Sequence, residues 1–438
     1  MNWGRAISPP AGQASATAAS GGRWGRRHLL IALCVLAVII GYTDRVNISV
    51  ASVAMRTQFG WTQTTKGFVL SAFFVGYISF LYIGGWLSTR FGGKRVLAVA
   101  VATWSVCTLL TPLAASESLP LLIAVRIAMG VGEAAIFPAT YELFGRWVPA
   151  GERTGAVAAL FSGISIGTVV GLAATAWITA RYGWPMAFSG FGVLGLVWVA
   201  VWLVSVSNDH ATDARLSSGE RELIEQTCSG RSAPGPIPWR RVLAEPAVRA
   251  VIITHFCTTW SLYMFLTWLP SYLSDVQGLT VAKSGLFSAA PWIAMCVMTY
   301  FAAAISGALI RRGVSLTTAR KLMQAVGLLG SASLLVLTSH VHTPTMALGL
   351  LCGAAGALGF AWSGYAPNLI DLAPRHSAML GAFSNTIATI PGIVAVSITG
   401  WLVDVTGTYT AAFVLTGAVG AIGALVFVRF GSTRAVID

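Results

Sequence analysis

Two charged residues, Arg126 and Glu133, lie inside the apolar stretch Leu122–Pro138, which reads LIAVRIAMGVGEAAIFP. On a helix, seven residues make almost two turns, so both side chains share one face about 10 Å apart along the axis. A charge at membrane depth costs roughly 2.5–3.5 kcal/mol even on lenient insertion scales, which favours a functional site. A buried ion pair that only locks two helices together is the alternative. Gly130 and Gly132 predict close approach by a neighbouring helix.

A second charged pair, Asp44 and Arg45, lies in the segment GYTDRVNISVA, residues Gly41–Ala51. Sequence neighbours on a helix point roughly 100° apart, so these two cannot face the same partner. We expect one of them to reach Arg126 or Glu133 and the other to face a central cavity. Alternatively, Asp44 lies near a helix end and extends to the surface.

The elements that carry these residues are predicted to cross a membrane. The chain has 438 residues, 55% hydrophobic and 10% charged, whereas soluble domains contain about 25% charged residues. Apolar stretches of about 18 residues or more predict transmembrane helices. We therefore predict an all-α membrane protein with twelve transmembrane helices in two pseudo-symmetric six-helix halves. The predicted spans are 29–51, 66–88, 96–114, 119–141, 154–179, 185–206, 248–270, 284–309, 320–339, 345–369, 376–402 and 409–430.

The remaining segments follow from composition. Residues 1–28, rich in Ala, Gly, Ser and Pro, are predicted to form a disordered cytoplasmic tail before a first half at 29–206. Residues 207–247 are predicted to be a cytoplasmic linker with one short amphipathic helix near 218–227, whose charges form a solvated face. The second half is predicted at 248–430 and a C-terminal cytoplasmic tail at 431–438.

The net charge of +13 follows topology. Most Lys and Arg residues lie on the side of the predicted spans that holds both termini, and the positive-inside rule makes that side cytoplasmic. We expect contact with anionic membrane lipids and no nucleic-acid partner. No metal-ligand spacing and no nucleophile–base pair is evident, so we predict a protein that is not an enzyme and has no catalytic residue, no metal and no cofactor.

The loop GGWLSTRFGGKR, residues 84–95, resembles the signature of the major facilitator superfamily. That pattern is Gly, three residues, Asp, Arg, any residue, Gly, any residue and then basic residues. Thr89 stands where the Asp is expected, and that acid normally braces a cytoplasmic gate contact. The positions that fit, and that the resemblance assigns to a gate motif, are Gly85, Arg90, Gly92, Lys94 and Arg95.

Three further segments narrow the resemblance to the anion:cation symporter family. They are YTDRVNISVA, RIAMGVGEAAIFP and the WLPSYL run at Trp268–Leu273. Bacterial members transport sugar acids such as galactonate and hexuronate, or aromatic acids. The resemblance implies a monomer that imports a small organic carboxylate with a proton by alternating access.

The resemblance also implies roles for residues of this chain. Asp44 and Glu133 would carry protons, and Arg45 would bind the substrate carboxylate. Arg126 would hold Glu133 until protonation releases it. The other residues assigned to substrate binding are Tyr42, Tyr77, Arg126 and Asn385. Tyr77 at mid-depth could equally satisfy its hydroxyl on a neighbouring helix, and Asn385 could equally be a polar contact between helices.

The residue types themselves support an anionic substrate. Arginine is always charged and forms two parallel hydrogen bonds to a carboxylate. Desolvation and a nearby arginine act in opposite directions on a buried carboxyl group, which lets its protonation depend on exposure. We predict a symporter in the cell (inner) membrane, driven by the proton gradient, for a sugar acid of the hexuronate, galactonate or glucarate type. An importer of aromatic carboxylates, a proton antiporter or exporter, and sodium coupling remain open.

Overall fold

The computed structural model describes residues 25–149, 151–207, 213, 215–228, 238–341, 343–374 and 376–436. Within these residues, twelve helical segments are long and apolar enough to cross a membrane, which confirms the predicted fold class. The helices are α1 Arg26–Phe59, α2 Gln63–Phe91, α3 Gly93–Glu117, α4 Leu119–Glu133, α5 Ile136–Trp147, α6 Arg153–Tyr182, α7 Trp184–Ser205, α8 Ser218–Cys228, α9 Trp239–Ala244, α10 Pro246–Asp275, α11 Val281–Arg311, α12 Leu316–Thr338, α13 Pro344–Leu372, α14 Ser377–Thr389, α15 Pro391–Thr406 and α16 Thr410–Phe430.

The helices form two halves, α1–α7 and α10–α16. In the first half α1 packs on α6, and α4 packs on both α2 and α3; in the second, α13 packs on α11 and α12. The halves meet mainly through two helix pairs, α2 with α15 and α6 with α11, and α1 also packs on α10. We call the side where α1 begins and α16 ends the terminal face, and the opposite side, where α1 meets α2, the distal face.

Two glycines bring α2 and α4 into close contact. A Cβ atom on Gly130 would collide with the carbonyl oxygen of Phe73, and one on Gly76 would collide with the carbonyl oxygen of Ile127. On the other side of α4, a Cβ on Gly132 would lie 3.1 Å from the backbone of α3. The close approach predicted from Gly130 and Gly132 is confirmed, and it sets the face of α4 that carries Arg126 against α2.

The predicted spans 119–141 and 376–402 each consist of two helices. Ala134 and Ala135 form a turn between α4 and α5. Pro138 has no N–H to donate to the carbonyl of Ala134, so the helix is interrupted directly after Glu133. Pro391 has the same effect between α14 and α15.

Some predictions for the ends and the linker need correction. Residues 26–28, predicted as tail, belong to α1; residues 1–24 lie outside the described part of the chain. The linker helix near 218–227 is confirmed as α8, but its charges are not all solvated, because Glu220 is buried. A second linker helix, α9, was not predicted.

Candidate functional site

The charged residues predicted inside the first and fourth spans are all buried in the first half. Asp44, Arg126 and Glu133 are at most 1% exposed, and Arg45 is 7% exposed. Asp44 and Arg45 lie on α1, which is held against α6 by the close approach of Gly167 to Ile39. Arg126 and Glu133 lie on α4. The structure therefore brings the two predicted charged pairs together.

Arg45 is held by one carboxylate and three aromatic rings. Its Nη2 donates to Oε1 of Glu133 in an ion pair. Its guanidinium carbon lies 4.5 Å from the ring centroid of Tyr42, and 4.9 Å from those of Phe73 and Tyr77. These contacts are favourable because ring faces attract cations, more strongly when water is excluded. Tyr42 and Tyr77, which the resemblance assigned to substrate binding, thus lie beside Arg45.

Arg126 does not hold Glu133 as we expected from the sequence. Its Nη1 donates to Sδ of Met129, 3.1 Å away. Met129 lies three residues along the same helix face, closer than Glu133, which is almost two turns away. Glu133 is engaged by Arg45 from α1 instead, and Arg126 acts on it only through its charge.

Phe73 is the residue that sequence reasoning missed. The guanidinium of Arg126 lies 5.6 Å from its ring centroid, so Phe73 contacts both buried arginines. It also stacks on Tyr77 at 5.8 Å. Its position four residues before Tyr77, on the same helix face, was the available signal.

Asp44 is fully buried in the middle of α1, so the alternative of a helix-end residue extending to the surface is wrong. Neither of its carboxyl oxygens has a hydrogen bond of ordinary geometry within the described part of the chain, although the Trp104 indole interacts with the carboxyl group. Both polar atoms of the Asn47 side chain likewise have no hydrogen bond there. Asp44 is within electrostatic range of Arg126 and Glu133. Buried groups left unsatisfied are expensive, and their retention indicates a functional role.

Asn385 is not placed with Arg45. It lies on α14 with an exposed side chain, and the contacts described for Arg45 do not include it. The second half contributes Tyr263 instead, which was not assigned. Tyr263 on α10 packs against Phe74 with ring centroids 4.6 Å apart, and it interacts electrostatically with Arg45.

The residues of the predicted gate motif lie at the terminal face, where α2 ends and α3 begins. Arg90 and Arg95 are exposed. Gly92 has φ of 85°, a conformation that favours glycine. The backbone N–H of Gly93 donates to Oε2 of Glu142 at 2.8 Å. Although Thr89 replaces the expected acid, this loop still contacts a carboxylate, because Glu142 reaches it from α5.

At the distal face, polar groups join the two halves. Asp275 on α10 accepts hydrogen bonds from Arg56 at 3.3 Å and from the Gln63 amide at 2.7 Å. Asp404 on α15 accepts from the backbone N–H groups of Gln63 at 2.9 Å and Thr64 at 2.6 Å. We call this set of contacts the distal seal. Asp404, from the other half, thus accepts from the first two N–H groups of α2, while Thr62 is the N-cap residue and accepts from Thr65.

Comparisons with known proteins agree with this architecture. Residues 33–395 match the family model of the Major Facilitator Superfamily. Two relatives from Arabidopsis thaliana, "Sodium-dependent phosphate transport protein 1, chloroplastic" and "Ascorbate transporter, chloroplastic", are each 36% identical over 413 residues. The alignments cover 94% of this chain and 80% and 76% of those relatives, respectively.

Solved structures show the same fold. A bacterial homologue of the human lysosomal transporter Spinster, inward-facing and unoccupied, has a TM-score of 0.77 at 16% identity, covering 94% of this chain and 98% of its own. A D-xylose–proton symporter has a TM-score of 0.74 at 15% identity, with 92% and 98% covered. At these identities the likeness concerns the fold alone. The named sequence relatives are plant chloroplast proteins, whereas our resemblance pointed to bacterial sugar-acid transporters.

Proposed function

This chain belongs to the major facilitator superfamily, and from that premise we propose that it couples proton entry to uptake of a small organic anion of the sugar-acid type. As a member of that family it is a multi-pass membrane transporter rather than an enzyme, and it needs no cofactor. The proposal adds the coupling ion, the substrate class and the direction of transport.

The observation that carries the proposal is the enclosure of Arg45 by Glu133 and three rings. A carboxylate is the natural ligand for a guanidinium, and here Glu133 occupies that position. A substrate carboxylate must therefore compete with Glu133 for Arg45. Protonation of Glu133 removes its negative charge and frees the guanidinium for the substrate, so proton and substrate binding become linked.

Asp44 and Arg126 complete the mechanism. The charge of Arg126 acts on Asp44 and on Glu133 alike. A proton that reaches either carboxyl group therefore changes the electrostatic field at the other, and we assign both as proton carriers. The rings of Tyr42 and Tyr77 position Arg45, and Tyr263 contributes from the second half.

Direction and location follow from topology. With both termini in the cytoplasm of a cell (inner) membrane, as the positive-inside rule favours, the distal face is external. The distal seal then closes the external side of the site, and substrate leaves toward the terminal face. A transporter that releases its substrate into the cytoplasm has its external side closed in the same way.

The names of the relatives support an anionic substrate and suggest competitors to test. One relative is named for sodium-dependent phosphate transport and another for ascorbate transport. Phosphate and ascorbate, like sugar acids, carry oxygen anions that arginine binds.

The test is uptake into proteoliposomes of labelled galactonate, glucuronate, ascorbate, benzoate and inorganic phosphate. Each is measured with an inward proton gradient, with an inward sodium gradient and with neither. We expect the proton gradient to drive accumulation of a sugar acid. Accumulation of phosphate alone, or accumulation that follows only the sodium gradient, would overturn the proposal.

The Glu133→Gln variant tests the coupling residue. It keeps a polar partner for Arg45 but cannot lose or gain a proton, so we expect exchange of substrate across the membrane to persist and gradient-driven accumulation to disappear. Glu117→Gln, an exposed carboxylate at the distal end of α3, is the matched control and should retain both. Accumulation by Glu133→Gln at the rate of the unmodified protein would exclude Glu133 as the proton carrier.

A further inference from the structure

Lys66 is a fully buried cation outside the site described above. It lies in the first turns of α2 and is 0% exposed. Its Nζ donates to Oγ of Ser271 at 2.8 Å and lies 4.7 Å from the ring centroid of Trp268. Its charged neighbours are Asp275, Asp404 and Arg56. Lysine is almost never fully buried unless it is paired with an acid, so its presence here needs an explanation.

Asp275 and Asp404 attract the charge of Lys66 from a distance, but neither forms an ion pair with Nζ within the described residues, so closing the distal seal accounts for little of that charge. The contact with Ser271 joins the two halves, but a neutral donor would make the same hydrogen bond without desolvating an ammonium group. Gln63, one turn earlier on α2, makes such a neutral contact to Asp275. The positive charge of Lys66 is therefore expected to act in a state other than the sealed one.

Lys66 lies on the face of α2 that leads to Arg45. Phe73 and Tyr77 follow it by seven and eleven residues, which places each of these side chains within about 20° of Lys66 around the helix. Phe73 and Tyr77 both contact the Arg45 guanidinium. At 1.5 Å per residue, Lys66 lies roughly 10–16 Å from these rings toward the distal face.

Opening of the distal face would uncover this cation. Ser271 and Trp268 belong to α10 in the second half, as does Asp275, and Asp404 lies on α15 of the same half. When the halves part, these residues move away together. Lys66 and Arg56 stay on the first half and give the side of the opening that leads to Arg45 a positive charge.

We propose that Lys66 is a second binding residue for the anionic group of the substrate, which it holds transiently between the distal opening and Arg45. This inference rests on the proposed function for the nature of the cargo. It predicts a residue that affects loading from the distal face and leaves loading from the terminal face unchanged, since Lys66 is buried when the distal face is sealed.

The test measures the KM for galactonate, ascorbate and inorganic phosphate, using those that the unmodified protein accumulates. A hydrogen bond to a charged group contributes about 1.5–3 kcal/mol, or roughly 10–100-fold in affinity. For Lys66→Gln we expect a rise in KM of that size when substrate is presented at the distal face, and no change at the terminal face. Lys66→Arg should remain within about threefold of the unmodified protein, because it keeps the charge.

Ser271→Ala separates binding from sealing. It removes the hydrogen-bond partner of Lys66 in the sealed state and leaves the charge in place, so its KM should match that of the unmodified protein. Equal effects of Ser271→Ala and Lys66→Gln would show that Lys66 only seals the face. An unchanged KM in Lys66→Gln would also overturn the inference. If Lys66→Gln does not fold, Lys66→Met is measured in its place; it also removes the charge, and an unchanged distal KM in that variant would overturn the inference.

A second measurement does not depend on the substrate. In a background without other cysteines, Ser271→Cys is treated with an anionic and a cationic methanethiosulfonate reagent. The measured quantity is the rate of reaction with the anionic reagent divided by the rate with the cationic reagent. We expect this ratio to be about tenfold higher with Lys66 present than in Lys66→Gln. Equal ratios would exclude the proposed attraction. If the unmodified protein accumulated none of the three anions, the proposed function would fail. The reactivity ratio would still show whether Lys66 attracts anions.

Discussion

At the scale of single residues, Arg45 owes its position to partners on three helices. Tyr42 lies on its own helix, Phe73 and Tyr77 lie on α2, and Glu133 ends α4. The planar guanidinium offers its edge to a carboxylate and its faces to rings, whereas a lysine ammonium is a single point charge that can neither form two parallel hydrogen bonds nor lie flat against a ring. The site is thus specific for arginine, not only for a positive charge.

We therefore expect Arg45→Lys to raise the KM of the transported anion about 10–100-fold, because the two-point contact to a carboxylate and the stacking are lost together. The measurement is the concentration dependence of proteoliposome uptake. Arg56→Lys is the matched control: its pair with Asp275 is partly exposed and contributes little, so its KM should stay within about twofold. If the KM of Arg45→Lys equalled that of the unmodified protein, the substrate would not bind the guanidinium.

At the scale of elements, three transmembrane helices begin under a carboxylate that belongs to another element. Asp404 caps α2, Glu142 reaches the first N–H of α3, and Glu220 of α8 accepts from the backbone N–H groups of Arg26 and Arg27 at 3.0 Å each. The first N–H groups of a helix have no partner within it, and the helix dipole favours a negative charge there. Acids on other elements thus stabilise the starts of these three helices.

The contact of α8 with α1 also depends on side chains. Arg27 donates to Glu220 at 3.0 Å and to Glu152 at 2.8 Å. The hydrogen bond from Arg27 lowers the pKa of Glu152 below its usual value. This contact therefore contributes stability at neutral pH, which is lost as the pH falls through that lowered pKa. Acid therefore weakens the contact between Arg27 of α1 and Glu152, which lies directly before α6.

Glu220→Gln should lower the melting temperature of the purified protein. The change removes a buried charge from a helix N-terminus and from Arg27, a loss of about 1–3 kcal/mol. Thermal unfolding in detergent measures it. Glu222→Gln, two residues away and exposed with a single contact to Gln226, should leave the melting temperature unchanged. Equal melting temperatures for both variants would show that the cap is energetically unimportant.

At the scale of the whole molecule, the two halves are joined by hydrogen bonds near the distal face. Asp275 accepts hydrogen bonds from the last turn of α1 and the first turn of α2, and Asp404 accepts from the first turn of α2. At the terminal face, the exposed Arg90 and Arg95 mark the loop where a gate was predicted. The described contacts thus close the distal side of the buried arginines.

Asp404→Asn should shift the population toward a distally open state. The amide keeps one acceptor oxygen but loses the negative charge at the helix N-terminus. Spin labels at the exposed positions Ser116 and Val276, one in each half at the distal face, should report a larger share of long distances. Asp371→Asn removes a carboxylate whose ion pair with Arg320 lies within one half, and it should leave the distances as they are. An unchanged distribution in Asp404→Asn would show that this cap does not hold the face closed.

The sequence predicted the spans well because long apolar runs have few other uses. It also singled out Arg45, Glu133 and Tyr77, which the structure places together, because polar groups at membrane depth are rare. It could not predict that Glu133 pairs with Arg45 and not Arg126, since that depends on which rotamer reaches across two helices. Phe73 resembled any buried aromatic residue. Asp404 and Glu220 resembled ordinary surface acids, and only the folded chain shows that each completes a helix elsewhere.

The contact of Asp404 with the start of α2 makes backbone hydrogen exchange there sensitive to opening of the distal face. The N–H groups of Gln63 and Thr64 are completed by a residue 341 and 340 positions away in the chain. Each parting of the halves returns these two groups to water and lets them trade hydrogen for deuterium. The rate of hydrogen–deuterium exchange at the first turn of α2 therefore reports how often the distal face opens. The measurement needs neither an attached label nor a known substrate.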